Sequence, residues 1–410
     1  MYRTRLDALA RRSLLRQLRT IDSAPGAEVE MEGRRVLLFS SNNYLDLATH
    51  PRVTDAALQA IRRYGVGSGA SRLVSGTLRP HRDLEERLAA FKRTEAALVF
   101  STGYQANLGL VQTLAEDRKV VYADRLCHAS LIDACRLCTA ALRIYRHRDA
   151  SHLSGLLRRG GPSRPALIVT DGVFSMDGDL APLPDLLQAA EQTGAVLVVD
   201  DAHGTGVMGP EGRGTVEHFG LEGQSIIQMG TLSKALGGLG GFVAGPRDLI
   251  EYLINRARPF IYTTALPPAM AAAASAALDV IEAEPERRAR LWSLRHRFHD
   301  RLRKFGFDTL DSESPIIPLL IGDADTALSL SEALLAHGIY APAIRPPTVP
   351  AGTSRIRMSV TSSHTPEHID YALEVLSKIV ASDGRLQERL RGGRRGSAGA
   401  RGRQVRLPSP

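Results

Sequence analysis

The stretch Ala195-Val196-Leu197-Val198-Val199-Asp200-Asp201-Ala202-His203-Gly204-Thr205-Gly206 runs apolar for five residues, then stops at two consecutive acids and a Gly-rich turn. An apolar run without polar alternation is the pattern of a strand covered on both faces. Six shorter runs of similar character lie around it, at 96–101, 120–123, 142–145, 166–171, 226–229 and 241–244. Helix-length segments such as 107–115 and 183–193 separate most of them. Strand–helix alternation of this kind predicts an α/β fold, a mostly parallel seven-stranded sheet with helices on both faces. The runs at 226–229 and 241–244 are joined by a short Lys- and Gly-rich link without a crossover helix, so the last strand is expected to enter antiparallel.

After residue 284 the texture changes. A charged helix (286–305) precedes short strands near 316–321 and 355–360, with helices at 324–337 and 366–381. This predicts a small α+β C-terminal domain. The expected organisation is an N-terminal helix and hairpin (1–45), a large domain (46–284), a small domain (285–383) and an Arg/Gly-rich tail (384–410).

Open α/β sheets bind ligands at the carboxyl ends of their strands, and Asp200 stands at such an end. A carboxylate there can keep a pyridine-type ring nitrogen protonated; an acid pair that caps a turn or holds a metal is the competing reading. His203 lies three residues on, within reach of the same ligand. In Thr231-Leu232-Ser233-Lys234-Ala235-Leu236-Gly237-Gly238 a lysine sits in a tight turn between two buried strands. Lysines avoid burial unless paired or used covalently, and the small neighbours let a flat carbonyl ligand reach the amine. A solvated loop lysine is the alternative. Thr231 and Ser233 offer hydroxyl donors to a phosphate. Phe100-Ser101-Thr102-Gly103-Tyr104 reads as a strand, a Gly turn and a helix start, where backbone amides can take an anion. His128, just after the run at 120–123, can stack on a ring or be structural. The Gly-rich stretch 65–72 follows no strand and carries no dinucleotide or P-loop signature.

Composition bounds the rest. The 410 residues are 43% hydrophobic and 23% charged, ordinary for a globular protein. No apolar run nears the roughly 18 residues that span a bilayer, so no membrane association is expected. The net charge of +8 comes almost entirely from the tail, where eight Arg stand against one Glu from Arg385 onward. Nucleic acid is therefore not an expected partner of the near-neutral body. Such a tail has too little apolar surface to fold on its own. The first twenty residues hold six Arg and no apolar core of a secretory signal. Cys127, Cys135 and Cys138 are too few and too unevenly placed for a disulfide framework or a four-ligand zinc site. The expectation is a cytoplasmic protein without a metal centre.

With these motifs in place, the chain from about residue 6 to 381 resembles the α-oxoamine synthases, a branch of the fold-type-I pyridoxal-phosphate enzymes. Ser40-Ser41-Asn42-Asn43-Tyr44-Leu45 and Gly172-Val173-Phe174-Ser175-Met176-Asp177-Gly178 are shared across that branch. Ile344-Arg345-Pro346-Pro347-Thr348-Val349-Pro350-Ala351-Gly352 points to the member that joins L-alanine to a pimeloyl thioester, carried on coenzyme A or a carrier protein, in biotin synthesis. A sister enzyme taking glycine and an acetyl thioester, or serine and a long acyl thioester, is the alternative. The resemblance implies pyridoxal 5′-phosphate held covalently by Lys234, with Asp200 on the ring nitrogen, His128 stacked on the ring, and His203 and Ser175 near the phenolic oxygen. It implies Gly103, Tyr104, Thr231 and Ser233 around the phosphate, and Thr263 and Thr264 reaching the phosphate of a second subunit in a homodimer with its active site at the interface. Arg357, assisted by Asn42, would take the amino-acid carboxylate, and Arg19 and Thr348 would line the acyl side. One departure is Asp46, where the family usually has glycine; if the turn needs positive φ, Asp adopts it at a cost.

Overall fold

The structure, a computed structural model, describes residues 1–160, 165–384 and 386–387. It divides into two compact units. The larger comprises Asn42–Ser175 and Leu180–Ala289, the smaller Met1–Ser41, Met176–Asp179 and the chain from Arg290 onward.

The larger unit is built on a seven-stranded sheet. Its spatial order is Ala96–Phe100, Gly241–Gly245, Ile226–Thr231, Val196–Asp200, Ala166–Asp171, Val120–Asp124, Ala141–Tyr145. Gly241–Gly245 runs antiparallel to both its neighbours, and every other pairing is parallel. The link before it is too short for a crossover, so the strand has to reverse. Side chains alternate between two apolar layers. Val198, Val169 and Val121 enter one, with Leu110 and Val111 of helix Gly103–Ala115. Leu197, Val199 and Ile168 enter the other, with Leu183 and Leu186 of helix Leu183–Thr193. Each of these fully buried aliphatics contributes roughly 1.5–3 kcal/mol by leaving water. Both faces of the inner strands are covered, which is why those strands read as continuous apolar runs; the edge strand Ala141–Tyr145 is more exposed and alternates.

Helix Gly103–Ala115 starts four residues before the sequence-based start at 107. Thr102 caps it, its side chain accepting from the Gln105 amide at 3.1 Å, and this fixes the helix start beside the strand end. Helix Pro268–Ala283 is Ala-rich and closely packed, with Ala271, Ala274 and Ala277 fully buried.

In the smaller unit, Ile316–Gly322 pairs antiparallel with Ser354–Ser359, which pairs with Ala343–Ile344. The hairpin Glu28–Met31/Arg34–Leu38 belongs here, because Arg34–Leu38 pairs in parallel with Ile339–Tyr340. The N-terminal segment, expected as a separate lead-in over 1–45, is thus part of this unit through residue 41, and the division falls inside helix Pro285–Phe305. The tail beyond residue 387 lies outside the described residues. No helix among the described residues is long and apolar enough to cross a membrane.

Candidate active site

The carboxyl ends of the parallel strands converge on one cavity of about 240 Å³ in the larger unit. Asp171 and Asp200 are register partners on adjacent strands, and Asp200 is opposite Met229 on the next. Lys234 lies in the link that follows Ile226–Thr231, and His128 caps helix Ala129–Leu137 after strand Val120–Asp124. Sequence reasoning named Gly103, Tyr104, His128, Ser175, Asp200, His203, Thr231, Ser233 and Lys234, and all of them line this cavity.

Asp200 is 4% exposed, and both its oxygens accept protein donors. Oδ1 takes the Ala202 amide at 3.0 Å and Oδ2 takes the Asn107 side-chain amide at 2.6 Å. That grip holds the carboxylate rigid at the cavity wall. Burial lowers the His128 pKa below the usual histidine range; the Asp200 carboxylate opposes this and the Lys234 charge reinforces it. Its backbone amide donates to Asp171 Oδ2 at 3.0 Å. Asp171 is itself pushed well above the ordinary carboxylate range, first by burial and then by the neighbouring Asp200 charge. His203 Nδ1 lies 2.8 Å from the Tyr44 hydroxyl, which fixes the ring's direction.

At another wall, the Gly103 and Tyr104 amides open the first turn of a thirteen-residue helix, where N–H groups have no intrahelical acceptor. Thr231 Oγ1 and Ser233 Oγ lie 2.7 Å apart beside them. A Cβ on Gly103 would stand 3.1 Å from Met229 and 3.3 Å from Thr231 Oγ1, so glycine lets the helix start pack closely against the neighbouring strand end. Tyr104 donates its hydroxyl to Asp133, and that bond raises its pKa. An amine, a buried carboxylate, a low-pKa imidazole and an anion cradle around one small cavity fit pyridoxal phosphate. They supply an amine for its aldehyde, an acceptor for its ring N–H, and donors for its phosphate.

Other expected residues stand elsewhere. Thr263 and Thr264 are not in the wall of this cavity. Thr263 Oγ1 accepts from Gln105 Nε2 at 3.3 Å, and the Thr264 carbonyl accepts from Ser101 at 3.0 Å. The Asn42 side-chain oxygen lies 3.3 Å from the Tyr44 hydroxyl. Arg357, Thr348 and Arg19 belong to the smaller unit. Arg357 is buried on strand Ser354–Ser359 and donates to Ser359 Oγ at 3.0 Å. Arg19 is paired with Glu32 at 3.0 Å, and it is Arg16 that donates to Thr348 Oγ1, at 2.9 Å. Asp46 has φ of 57°, so the turn does require the left-handed region where glycine is usual.

Sequence reasoning assigned no role to Asn107, Ser130, Tyr44 or Asp171, although the quoted Ser40–Leu45 motif contains Tyr44. For Asp171 a signal existed: it ends a strand as Asp200 does.

A family description for class I and II aminotransferases matches residues 34–376. An 8-amino-7-oxononanoate synthase of Geobacter sulfurreducens is 51% identical over 91% of this chain and 96% of its own length. The 8-amino-7-oxononanoate synthase 1 of Bacillus subtilis is 45% identical over 91% of this chain and 95% of its own. Among solved structures, a serine palmitoyltransferase from S. paucimobilis with a bound PLP–myriocin aldimine superposes with a TM-score of 0.89 at 34% identity, covering 93% of this chain and 97% of that one. An 8-amino-7-oxononanoate synthase from Francisella tularensis gives 0.73 at 32%, covering 85% and 98%. Identity of this depth over almost the whole length, on the same fold, places the chain in the class I and II aminotransferase family and, within it, in the α-oxoamine synthase branch that holds the 8-amino-7-oxononanoate synthases.

Proposed function

We propose that this chain is an 8-amino-7-oxononanoate synthase, joining L-alanine to a pimeloyl thioester with release of carbon dioxide and the free thiol. The observation that carries the reading is the meeting of Lys234, Asp200, His128 and His203 on one cavity. Bound pyridoxal phosphate supplies an electron sink for the charge that develops at the amino-acid α-carbon. Lys234 would hold the cofactor aldehyde covalently, and its ε-amine, when free, would take the Cα proton of alanine. Asp200, clamped by Ala202 and Asn107, keeps the proton on the ring nitrogen. His128 presents a neutral ring, and His203, oriented by Tyr44, donates toward the oxygen that gains charge during acyl transfer. Thr231, Ser233 and the first amides of helix Gly103–Ala115 hold the phosphate.

In this reading Arg357 takes the alanine carboxylate, with Asn42 assisting, and Arg16 joins Thr348 on the acyl side. The working form is a cytoplasmic homodimer, with Thr263 and Thr264 serving the partner's phosphate. A bridge between Ser71 and Thr264 sets two segments side by side, and Leu73, Val74 and Tyr262 on them are 52%, 79% and 71% exposed, which supports a subunit contact there.

The serine palmitoyltransferase neighbours favour a second reading, serine with a long acyl thioester. Relatives of 45–51% identity against neighbours of 34–35% weigh against it. Product mass spectrometry separates the two. Alanine with a pimeloyl thioester should give the amino ketone, and Lys234→Ala should abolish both product and the visible band of the bound cofactor. Turnover of serine with a palmitoyl thioester, and none of alanine with the pimeloyl ester, would overturn the assignment.

A further inference from the structure

We propose that Asn107 and Ser130 are positioning residues, a relay that ties the Asp200 carboxylate to the His128 ring and holds that ring in its neutral Nε2–H tautomer. The direction of every proton follows from what each group can do. The Ser130 backbone amide lies 3.3 Å from His128 Nδ1, and an amide only donates, so Nδ1 carries a lone pair. Ser130 Oγ is 2.7 Å from the same nitrogen and must therefore donate to it. That hydroxyl in turn accepts from Asn107 Nδ2 at 2.8 Å. The second Nδ2 proton goes to Asp200 Oδ2 at 2.6 Å, because a carboxylate only accepts. Asn107 and Ser130 are each 1% exposed, so water does not compete for these bonds.

The arrangement closes on itself. Asp171, register partner of Asp200, accepts the His128 backbone amide, so two strand ends and two helices meet around His128. Asn107 acts through Ser130. Its N–H takes one of the two hydroxyl lone pairs, which favours the rotamer that points the hydroxyl proton at Nδ1. Without Asn107 the hydroxyl can turn and accept from a protonated Nδ1. The charged groups that bear on the ring are Asp200 and Asp171 on the strands, Asp133 on its own helix, and Lys234 in the link, and the relay adds to their sum a preference for the neutral form.

The catalytic consequence rests on the pyridoxal-phosphate reading above; the tautomer does not. The test is nitrogen-15 NMR of the holoenzyme labelled at histidine. In the unaltered protein, His128 Nδ1 should resonate as an unprotonated nitrogen at about neutral pH and above. Ser130→Ala and Asn107→Ala should each raise the His128 pKa by about one unit, a tenfold gain in proton affinity. The acid limb of kcat/KM should move with it, and Ser130→Thr should restore both. The double variant should move no further than the larger single one, since both cut one chain. A protonated Nδ1 in the unaltered holoenzyme overturns the inference without any variant, as do additive shifts in the pair. Failure of the cofactor to bind at all would instead count against the functional reading.

Discussion

Breaking the buried Lys92–Asp201 ion pair should be among the most damaging single changes in the larger unit. Both side chains are fully buried, with Nζ 2.8 Å from Oδ2. Lys92 also donates to Thr205 Oγ1 at 3.3 Å and to the Arg213 carbonyl. Asp201 Oδ1 accepts the Thr215 amide at 3.0 Å and its hydroxyl at 2.7 Å. Glycine makes room for the carboxylate: a Cβ on Gly214, whose φ is 118°, would fall 1.6 Å from Oδ2. Losing one partner of such a pair leaves a buried charge uncompensated, at about 3–5 kcal/mol. Lys92→Met should sit near 3 kcal/mol, because Asp201 keeps its Thr215 donors. Asp201→Asn should cost more, because the ammonium then faces only neutral acceptors. At about 2 °C per kcal/mol for a body of this size, the melting temperature of the cofactor-loaded protein should drop roughly 6–10 °C. The double variant should melt well above the sum of the singles, since neither charge is then stranded. Asp201 directly follows Asp200, so the same loss should loosen the acid at the cavity wall. A cost below about 1 kcal/mol for either single change, the range of exposed pairs, would refute the reasoning.

Two further outcomes follow from single residues. His364 is fully buried against Phe39, and burial lowers its pKa from 6.5 to about 4. Its folded pKa lies below the unfolded one, so the stability it contributes is present above pH 6.5 and is lost as pH falls toward 4, by about 3 kcal/mol in all; His364→Asn should flatten the acid side of a stability-versus-pH curve measured by denaturant titration. Asp46→Gly should stabilise the protein by about 1 kcal/mol in the same assay, because it relieves a left-handed φ of 57°; an unchanged midpoint would mean that the Asp46 side-chain contact with Asn43 offsets the strain.

The inner strands were legible because burial on both faces removes polar alternation, and the reversal of Gly241–Gly245 was legible from the length of the link before it. Asp200 and Lys234 stood out for a related reason: a charge at the end of an apolar strand or in a tight buried link needs a purpose. Asn107 and Ser130 carry no such signal, since a polar residue in the first turns of a helix has many uses and its partners are chosen by tertiary packing. Arg19 came from resemblance alone, because the N-terminal segment carries no motif that sets its register. The docking of the N-terminal hairpin on Ile339–Tyr340 was equally hidden, being a parallel pairing of two residues across 300 positions of chain. Thr263 and Thr264 came from resemblance alone, and within one chain they stand apart from the cavity wall.

The account stands on Lys234 as the residue that holds pyridoxal phosphate. Reducing the cofactor-loaded protein with borohydride makes that bond permanent, and peptide mass spectrometry then locates it. The account predicts one pyridoxyl phosphate per chain, on the peptide containing Lys234. Label on another lysine, or none at all on a protein that has bound the cofactor, would contradict it.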